Sequence, residues 1–227
     1  MPSTNIDIFD NVDAAKFKIT KPQAVIDIYK LLYILDKIFH QNKLEYWIEG
    51  GTMLGAVRHK GIIPWDDDGD VQIWKKDEER LKKLKDVFAS YNIVLMPIWF
   101  GYKIFFKNGK SITGYKWLYP FVDIFIMENK NGKVSYSYPA AQIAFGKSYF
   151  EIATMYPLER YKFGSFELTG VSRNAVNKYF DISFGEDWLT HAYEMYDHEN
   201  EKSIKRVKRL LNDNEKQPAQ PIDFVKF

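Results

Sequence analysis

The first half of the chain alternates between helical and extended patterns of apolar residues. Val25, Ile28, Leu32 and Leu35 recur every three or four positions, which is the spacing of one face of an α-helix. Pro22 suits the first turn of a helix, so the pattern predicts a helix that starts at residue 20 or 21 and ends near residues 41–43. The elements predicted next are a strand over 46–48, a short helix over 53–57, a strand that begins near residue 71 and a helix over 78–89.

The second half is rich in β-branched and aromatic residues, which are enriched in strands. Asn108-Gly109 and Asn131-Gly132 are turn signals. The predicted elements are strands over 93–96, 98–106, 121–127 and 134–138, two short strands beyond residue 157, a helix over 172–180 and a charged helix over 199–214. This order predicts an α/β (α+β) sheet domain. We expect an N-terminal segment (1–19), a folded domain (20–190), and a C-terminal helix and tail (191–227) packed on that domain.

Composition narrows the class of protein. Of the 227 residues, 46% are hydrophobic and 27% are charged, which is ordinary for a globular protein. A formal net charge of +2 argues against a nucleic-acid partner, which normally requires a basic excess. The absence of cysteine excludes thiolate zinc sites and cysteine nucleophiles. We see no signal peptide and no run of ~18 apolar residues that would span a membrane, so we expect a soluble, cytoplasmic protein.

Acidic residues at the start of a predicted strand carry the strongest chemical signal. If the chain is extended there, Asp66, Asp68 and Asp70 share one face, because strand side chains alternate. Carboxylates at this spacing suit Mg²⁺ or Mn²⁺, which are hard cations that prefer oxygen ligands; the alternative is a solvated acidic loop. Asp123 lies in the apolar strand 121–127, where a carboxylate is costly unless it is paired or binds a metal.

Two groups between residues 50 and 60 suit phosphate chemistry. A Gly-Gly-Thr segment before a short helix lets the backbone approach a phosphate closely, although paired glycines also mark ordinary turns. A cationic triplet follows, which would bind a nucleotide or the transferred phosphate; its alternative is a solvated loop. Together with the aspartates, these groups predict metal-dependent phosphoryl transfer. The residues are Gly50, Gly51 and Thr52, followed by Arg58, His59 and Lys60.

Aromatic residues make up 17% of the chain, and five of them surround Asp123 in sequence. They suit a wall that binds a sugar or choline. Packing within the core and the strands is the commoner explanation, and we prefer it. The five residues are Trp99, Tyr102, Tyr115, Trp117 and Tyr119.

Residues 46–70 read YWIEGGTMLGAVRHKGIIPWDDDGD and resemble the signature of the LicD/fukutin family of the nucleotidyltransferase-fold superfamily. The segment 120–125 is similar to the strand that carries the family's third acid, and weaker similarity continues at 157–163 and 185–188. Two departures are Gly69, where the family has an apolar residue, and Phe184, where tyrosine is common. The resemblance implies a nucleotidyltransferase-like mixed sheet flanked by helices, to which the predicted C-terminal helix adds an extension.

The resemblance also implies a reaction: transfer of a phosphoalcohol, such as phosphocholine or ribitol phosphate, from a CDP-linked donor to a glycan hydroxyl, with release of CMP. By carry-over, Asp68 and Asp70 hold Mg²⁺ or Mn²⁺, and Asp123 completes the site or acts as general base. Asp66 is a further ligand or supports one, and the segment 50–52 meets the donor diphosphate. Two alternatives stay open: a nucleotidyltransferase that uses an NTP and releases pyrophosphate, and a binding protein of the same fold without turnover.

Overall fold

The computed structural model describes residues 17–221, so most of the predicted segment 1–19 and the last six residues of the predicted tail lie outside the described residues. The strands are β1 (Tyr46–Ile48), β2 (Gly69–Trp74), β3 (Ile93–Ile98), β4 (Gly101–Ser111), β5 (Leu118–Lys130), β6 (Lys133–Tyr136), β7 (Glu159–Phe163), β8 (Phe166–Gly170), β9 (His191–Asp197) and β10 (Lys202–Leu210). The α-helices are α1 (Pro22–Gln41), α2 (Gly50–Leu54), α3 (Glu78–Lys83), α4 (Lys85–Ser90), α5 (Pro139–Phe145), α6 (Ile152–Met155) and α7 (Arg173–Phe184).

The central sheet has the strand order β1-β2-β5-β4-β3, and β6 pairs with β5. β2 and β5 run parallel, whereas the other neighbours in this sheet run antiparallel. Helices pack against it, so the predicted mixed α/β fold with a mixed sheet flanked by helices is confirmed. The pairing of β2 with β5 matters most for the site, because it joins two segments that are about fifty residues apart in sequence.

The first helix forms as its apolar pattern predicts. Pro22 occupies its first turn after an extended Lys21, and Ile28, Leu32 and Leu35 are completely buried. The helix packs on β4 and β5, so it covers one face of the strands that carry the site. Each of these three side chains contributes about 1.5–3 kcal/mol by burial. No helix among the described residues is long and apolar enough to cross a bilayer.

Several local predictions are confirmed with shifted boundaries. The predicted helix over 78–89 is divided at Leu84 into α3 and α4. The predicted helix over 53–57 begins earlier, at Gly50, and continues as one π-helical turn over Gly55–His59. The two short strands beyond residue 157 form the hairpin β7–β8. Helix α5 is an element that the sequence pattern did not predict.

The predicted C-terminal helix over 199–214 is wrong. Residues 191–210 form an antiparallel hairpin in which Lys202 pairs with Asp197 and Leu210 pairs with His191. Its lysines and arginines are acceptable helix formers when they are read alone. Tertiary contacts decide otherwise, because Glu199, in the turn, accepts hydrogen bonds from three lysines of distant segments. Those lysines are Lys18, Lys21 and Lys110.

One predicted turn is also misplaced. Asn108-Gly109 does not end a strand but lies inside β4, at an irregularity of the register between Phe105 and Lys110. The long strand β5 offers pairing partners on both sides of that irregularity, so the main chain stays extended. Asn131-Gly132, in contrast, connects β5 to β6 as predicted.

Candidate active site

Three aspartates that the sequence singles out meet at one point of the central sheet. Asp70 on β2 is the register partner of Asp123 on β5, because these strands are parallel neighbours. Asp68 lies directly before β2. The three residues each offer a carboxylate oxygen, and these oxygens all lie within 4.8 Å of one another. The spacing along β2 and the register across the sheet together produce this group, which we call the carboxylate triad.

Burial makes the carboxylate triad unfavourable when it is fully ionised. Burial is the largest cause that raises the pKa of Asp70 well above its usual range, and the neighbouring carboxylate of Asp68 raises it further. Burial likewise raises the pKa of Asp68 and raises the pKa of Asp123 to about 6. Largely desolvated oxygens that repel each other at this distance suit a hard divalent cation, which would stabilise their charged form.

A lysine that sequence reasoning missed lies beside the triad. Lys103 on β4 is the register partner of Asp123, on the side of β5 away from β2. Its Nζ donates to both carboxylate oxygens of Asp123, at 2.7 and 2.9 Å, and both residues are buried. One signal could have identified it: Lys103 is the only charged residue in the otherwise apolar and aromatic run 98–106.

The two remaining acids of the cluster line the same cavity but make other contacts. Among the described residues, two groups of possible metal ligands are closely spaced: the triad, and Asp67 with Asp68 and His198. Asp66 belongs to neither group and lies against Gly51. Asp67 accepts from Nδ1 of His198 at 2.7 Å, and His198 Nε2 lies 3.3 Å from Asp68. Burial opposes protonation of His198, but Asp68 and Asp67 outweigh it and raise its pKa to about 9. His198 lies in the turn of the unpredicted hairpin, so no sequence signal indicated it.

The glycine segment is joined to β2 beside the triad. Gly50 has φ +53, a left-handed conformation that favours glycine. The backbone N–H of Asp70 donates to the Thr52 hydroxyl at 2.8 Å. A Cβ added to Gly51 would overlap Oδ2 of Asp66 and would lie 3.2 Å from its Cγ. A side chain at position 51 would therefore have to displace the carboxylate of Asp66.

Glu49 is connected to the glycine segment through hydrogen bonds. It is buried and accepts hydrogen bonds from Gln72 Nε2 at 2.7 Å, from Tyr136 Oη at 3.3 Å and from Tyr179 Oη at 3.3 Å. Burial raises its pKa to about 8. The Tyr179 hydroxyl in turn accepts from the backbone N–H of Gly50 at 3.0 Å. Glu49 and the two tyrosines thus hold the glycine segment in position.

The predicted cationic triplet is dispersed. Arg58 lines the cavity above the triad, where its guanidinium donates to backbone oxygens of Trp188 and His191, and burial lowers its pKa to about 10. His59 points away into the protein: its Nε2 lies 3.0 Å from the backbone oxygen of Glu215, and burial lowers its pKa to about 3. Lys60 is exposed and donates to the backbone of its own turn. The structure brings only Arg58 to the cavity.

The triad forms part of the wall of a cavity of about 260 Å³. Of the five aromatic residues near Asp123 in sequence, Tyr102 and Tyr119 are buried, while Trp99 is half exposed and stacks on Phe145. Different aromatic residues line the cavity itself, from β5, α5, α7, the acidic loop and the C-terminal hairpin. They are Phe125, Phe145, Phe184, Trp65, Tyr193 and Tyr196.

Sequence comparison with known proteins identifies relatives of this chain. A family model described as "LicD/FKTN/FKRP, nucleotidyltransferase domain" matches residues 43–170. A Rickettsia prowazekii protein described as "Uncharacterized protein RP689" is 31% identical over 212 residues, which cover 91% of this chain and 73% of that protein. The Haemophilus influenzae "Lipopolysaccharide cholinephosphotransferase LicD" is 32% identical over 78 residues, which cover 34% of this chain and 29% of that protein. The Homo sapiens "Ribitol 5-phosphate transferase FKRP" is 48% identical over 47 residues, which cover 21% of this chain and 10% of that protein.

The two transferases thus share only a minor part of their own length with this chain. The match to the family model is broader, since it spans more than half of the chain and includes the glycine segment and all three members of the triad. The Rickettsia relative extends the similarity over most of both proteins. The chain therefore belongs to the LicD/FKTN/FKRP family of nucleotidyltransferase domains.

Proposed function

We propose that the protein transfers a phosphoalcohol, of the phosphocholine or ribitol phosphate type, from a CDP-linked donor to a glycan hydroxyl and releases CMP. One observation carries this proposal: Asp68, Asp70 and Asp123 converge within 4.8 Å in a cavity that also contains Gly51. The names of LicD and FKRP, which describe transfer of phosphocholine and of ribitol 5-phosphate, support the choice of the transferred group.

The residues present fit a divalent metal ion. The triad offers oxygen atoms only, which suits Mg²⁺ or Mn²⁺ rather than a softer metal. Two of its carboxylates are buried and the third, that of Asp70, is half-buried, and the pKa values of all three are raised, so a bound cation would relieve their repulsion. When bound there, such an ion supplies positive charge that neutralises and orients the donor phosphates. We assign Asp68, Asp70 and Asp123 as its ligands and place Asp66 at the glycine segment instead.

The reaction is a displacement at the phosphorus that carries the alcohol. A new bond forms between that phosphorus and the acceptor oxygen, the bond from phosphorus to the bridging oxygen breaks, and CMP leaves with that oxygen. The proton of the acceptor hydroxyl passes to solvent. No protein nucleophile is required, because positioning and charge stabilisation supply most of the rate. Gly51 lets the Asp66 carboxylate lie against the backbone in the wall of the cavity, and the half-buried guanidinium of Arg58 adds positive charge to the same cavity.

The test is CMP release from CDP-choline, CDP-ribitol and CDP-glycerol with Mg²⁺ or Mn²⁺, each with and without candidate glycans. We expect metal-dependent CMP release from at least one donor, with Asp123→Asn inactive. The matched control is Asp27→Asn, a partly buried aspartate on α1 that lines a different cavity and should leave turnover unchanged. Pyrophosphate release from an NTP would instead identify a nucleotidyltransferase. No turnover with any donor, in protein that binds the metal, would contradict the proposal.

A further inference from the structure

Lys103 is a buried cation that the reaction as described does not use. It is 4% exposed, although it occupies a strand position between Tyr102 and Ile104. Its register partner on β5 is Asp123, and both oxygens of that carboxylate accept a hydrogen bond from Nζ, at 2.7 and 2.9 Å. A buried lysine is found in proteins almost only when it is paired, so Asp123 accounts for its position.

Aromatic rings surround the other side of this ammonium group. Nζ lies 3.3 Å from the ring centroid of Phe121, 5.2 Å from that of Trp117 and 5.5 Å from that of Phe100. These are cation–π distances, and such contacts are strongest when they are desolvated. Lys103 is therefore held in one place, between Asp123 and a wall of aromatic rings.

Strand order fixes the relation of this cation to the triad. Because β5 lies between β2 and β4, the row across the sheet reads Asp70, Asp123, Lys103. In enzymes that use two metal ions, the ions lie about 3.5–4 Å apart and share ligands. One flank of Asp123 faces the remaining triad members, and the opposite flank is filled by the lysine ammonium and its aromatic wall.

The other flank of the triad is filled as well. Asp67, Asp68 and His198 form the second group of closely spaced ligand atoms among the described residues. The imidazole of His198 already spans the two carboxylates, with Nδ1 2.7 Å from Asp67 and Nε2 3.3 Å from Asp68. Both of its ring nitrogens are thereby occupied, so the triad is the group that stays available to an ion.

We propose that Lys103 takes the place of a second divalent ion, so that the carboxylate triad holds one ion and the lysine supplies the second positive charge beside it. This inference rests on the metal site of the proposed function but does not depend on the identity of the donor or acceptor. Lys103 acts through Asp123 and is thus a positioning and charge-compensating residue.

The experiment counts Mn²⁺ ions bound by the full chain, from the electron paramagnetic resonance signal of free Mn²⁺ during a titration, without donor and again with CDP. We expect one equivalent in both series. Lys103→Met should bind Mn²⁺ at least about tenfold more tightly, because a like charge beside the ion is removed. Lys103→Arg keeps the charge and should bind one equivalent with nearly wild-type affinity.

Two equivalents in the wild-type protein would overturn the proposal, and loss of one of them in His198→Ala would assign it to the group of Asp67, Asp68 and His198. Unchanged Mn²⁺ affinity in a folded Lys103→Met variant would also overturn it. If the Lys103→Met variant does not fold, the number of Mn²⁺ ions bound by the wild type and the Mn²⁺ titration of Lys103→Arg still test the proposal. Because only Mn²⁺ and CDP are used, an inactive donor panel would leave the ion count intact, so failure of the proposed function and failure of this inference are distinguishable.

Discussion

Replacement of Asp70 by asparagine is expected to stabilise the metal-free protein while it abolishes Mn²⁺ binding and turnover. Asp70 is half-buried next to Asp68 and Asp123, and desolvation together with these carboxylates raises its pKa well above the ordinary value. Asparagine has nearly the same shape and no charge. The variant therefore removes repulsion from the folded state without creating a cavity.

The magnitude follows from the spacing of the triad. Two like charges no more than 4.8 Å apart repel by ~3.5 kcal/mol or more at an effective dielectric constant of about 20. The cations of Lys103 and His198 offset part of this repulsion, so we expect Asp70→Asn to raise the free energy of unfolding by about 1–3 kcal/mol near pH 8. An acid whose folded pKa is raised costs stability as pH rises, because the folded state holds the proton more tightly. The advantage of the variant should therefore vanish below about pH 4, near the unfolded pKa of aspartate, and grow as pH rises.

Urea unfolding in EDTA between pH 4 and pH 8, repeated with saturating Mn²⁺, measures this effect. At a concentration of 100 times Kd, Mn²⁺ should add about 2.7 kcal/mol to the wild-type protein and nothing to the variant. The control is Asp77→Asn, since Asp77 is buried but forms an ion pair with Arg80, and its replacement should destabilise. The reasoning is refuted if Asp70→Asn is no more stable than the wild type in EDTA at pH 8, or if Mn²⁺ still stabilises it.

Three other substitutions test separate parts of the structure. Gly51→Ala should reduce CMP release at least about tenfold by displacing Asp66, as seen by steady-state kinetics, whereas unchanged kcat/KM would contradict the required close approach. Glu199→Gln should lower the free energy of unfolding at pH 7, because it removes the ion pairs with the lysines that lower the pKa of Glu199 to about 2. The loss should be only about 1–2 kcal/mol, since these lysines are largely exposed and solvent screens their charges. That deficit should shrink as pH falls from 4.5 towards 2, and a constant deficit would argue against the ion pairs. The raised pKa of Glu49 should make the free energy of unfolding of the wild type fall by about 1.4 kcal/mol per pH unit between pH 4.5 and about 8. Glu49→Gln should remove this fall. The same dependence of the free energy of unfolding on pH in both proteins would contradict the burial of Glu49.

Part of the site could be predicted because its signals are local. Alternation along an extended chain placed Asp68 and Asp70 on one face, and a carboxylate inside an apolar strand identified Asp123 as unusual. The apolar period of α1 likewise predicted a buried helix face, which the structure shows at Ile28 and Leu32. These inferences need only the geometry of one element, which the residues of that element determine.

The C-terminal hairpin shows where such local reasoning fails. Its charged residues are compatible with a helix, but contacts with distant segments stabilise the extended form, among them those of Glu199 with Lys18 and Lys110 and of Arg209 with the rings of Phe17 and Trp65. His198 enters the site on the turn of this hairpin. Its contact with Asp67 joins residues that are 131 positions apart, and no local pattern predicts such a pair.

By itself, the sequence determined the class of fold, the family and the identity of the acidic and glycine residues, because apolar period, turn residues and a contiguous motif are properties of neighbouring positions. Only the tertiary structure decided which of those residues meet. The parallel pairing of β2 with β5 aligns Asp70 with Asp123, and the antiparallel pairing of β5 with β4 adds Lys103 to the same row. The physical reason is that strand register is set by the packing of the whole sheet and not by any one strand, so the charges that surround the triad follow from the fold.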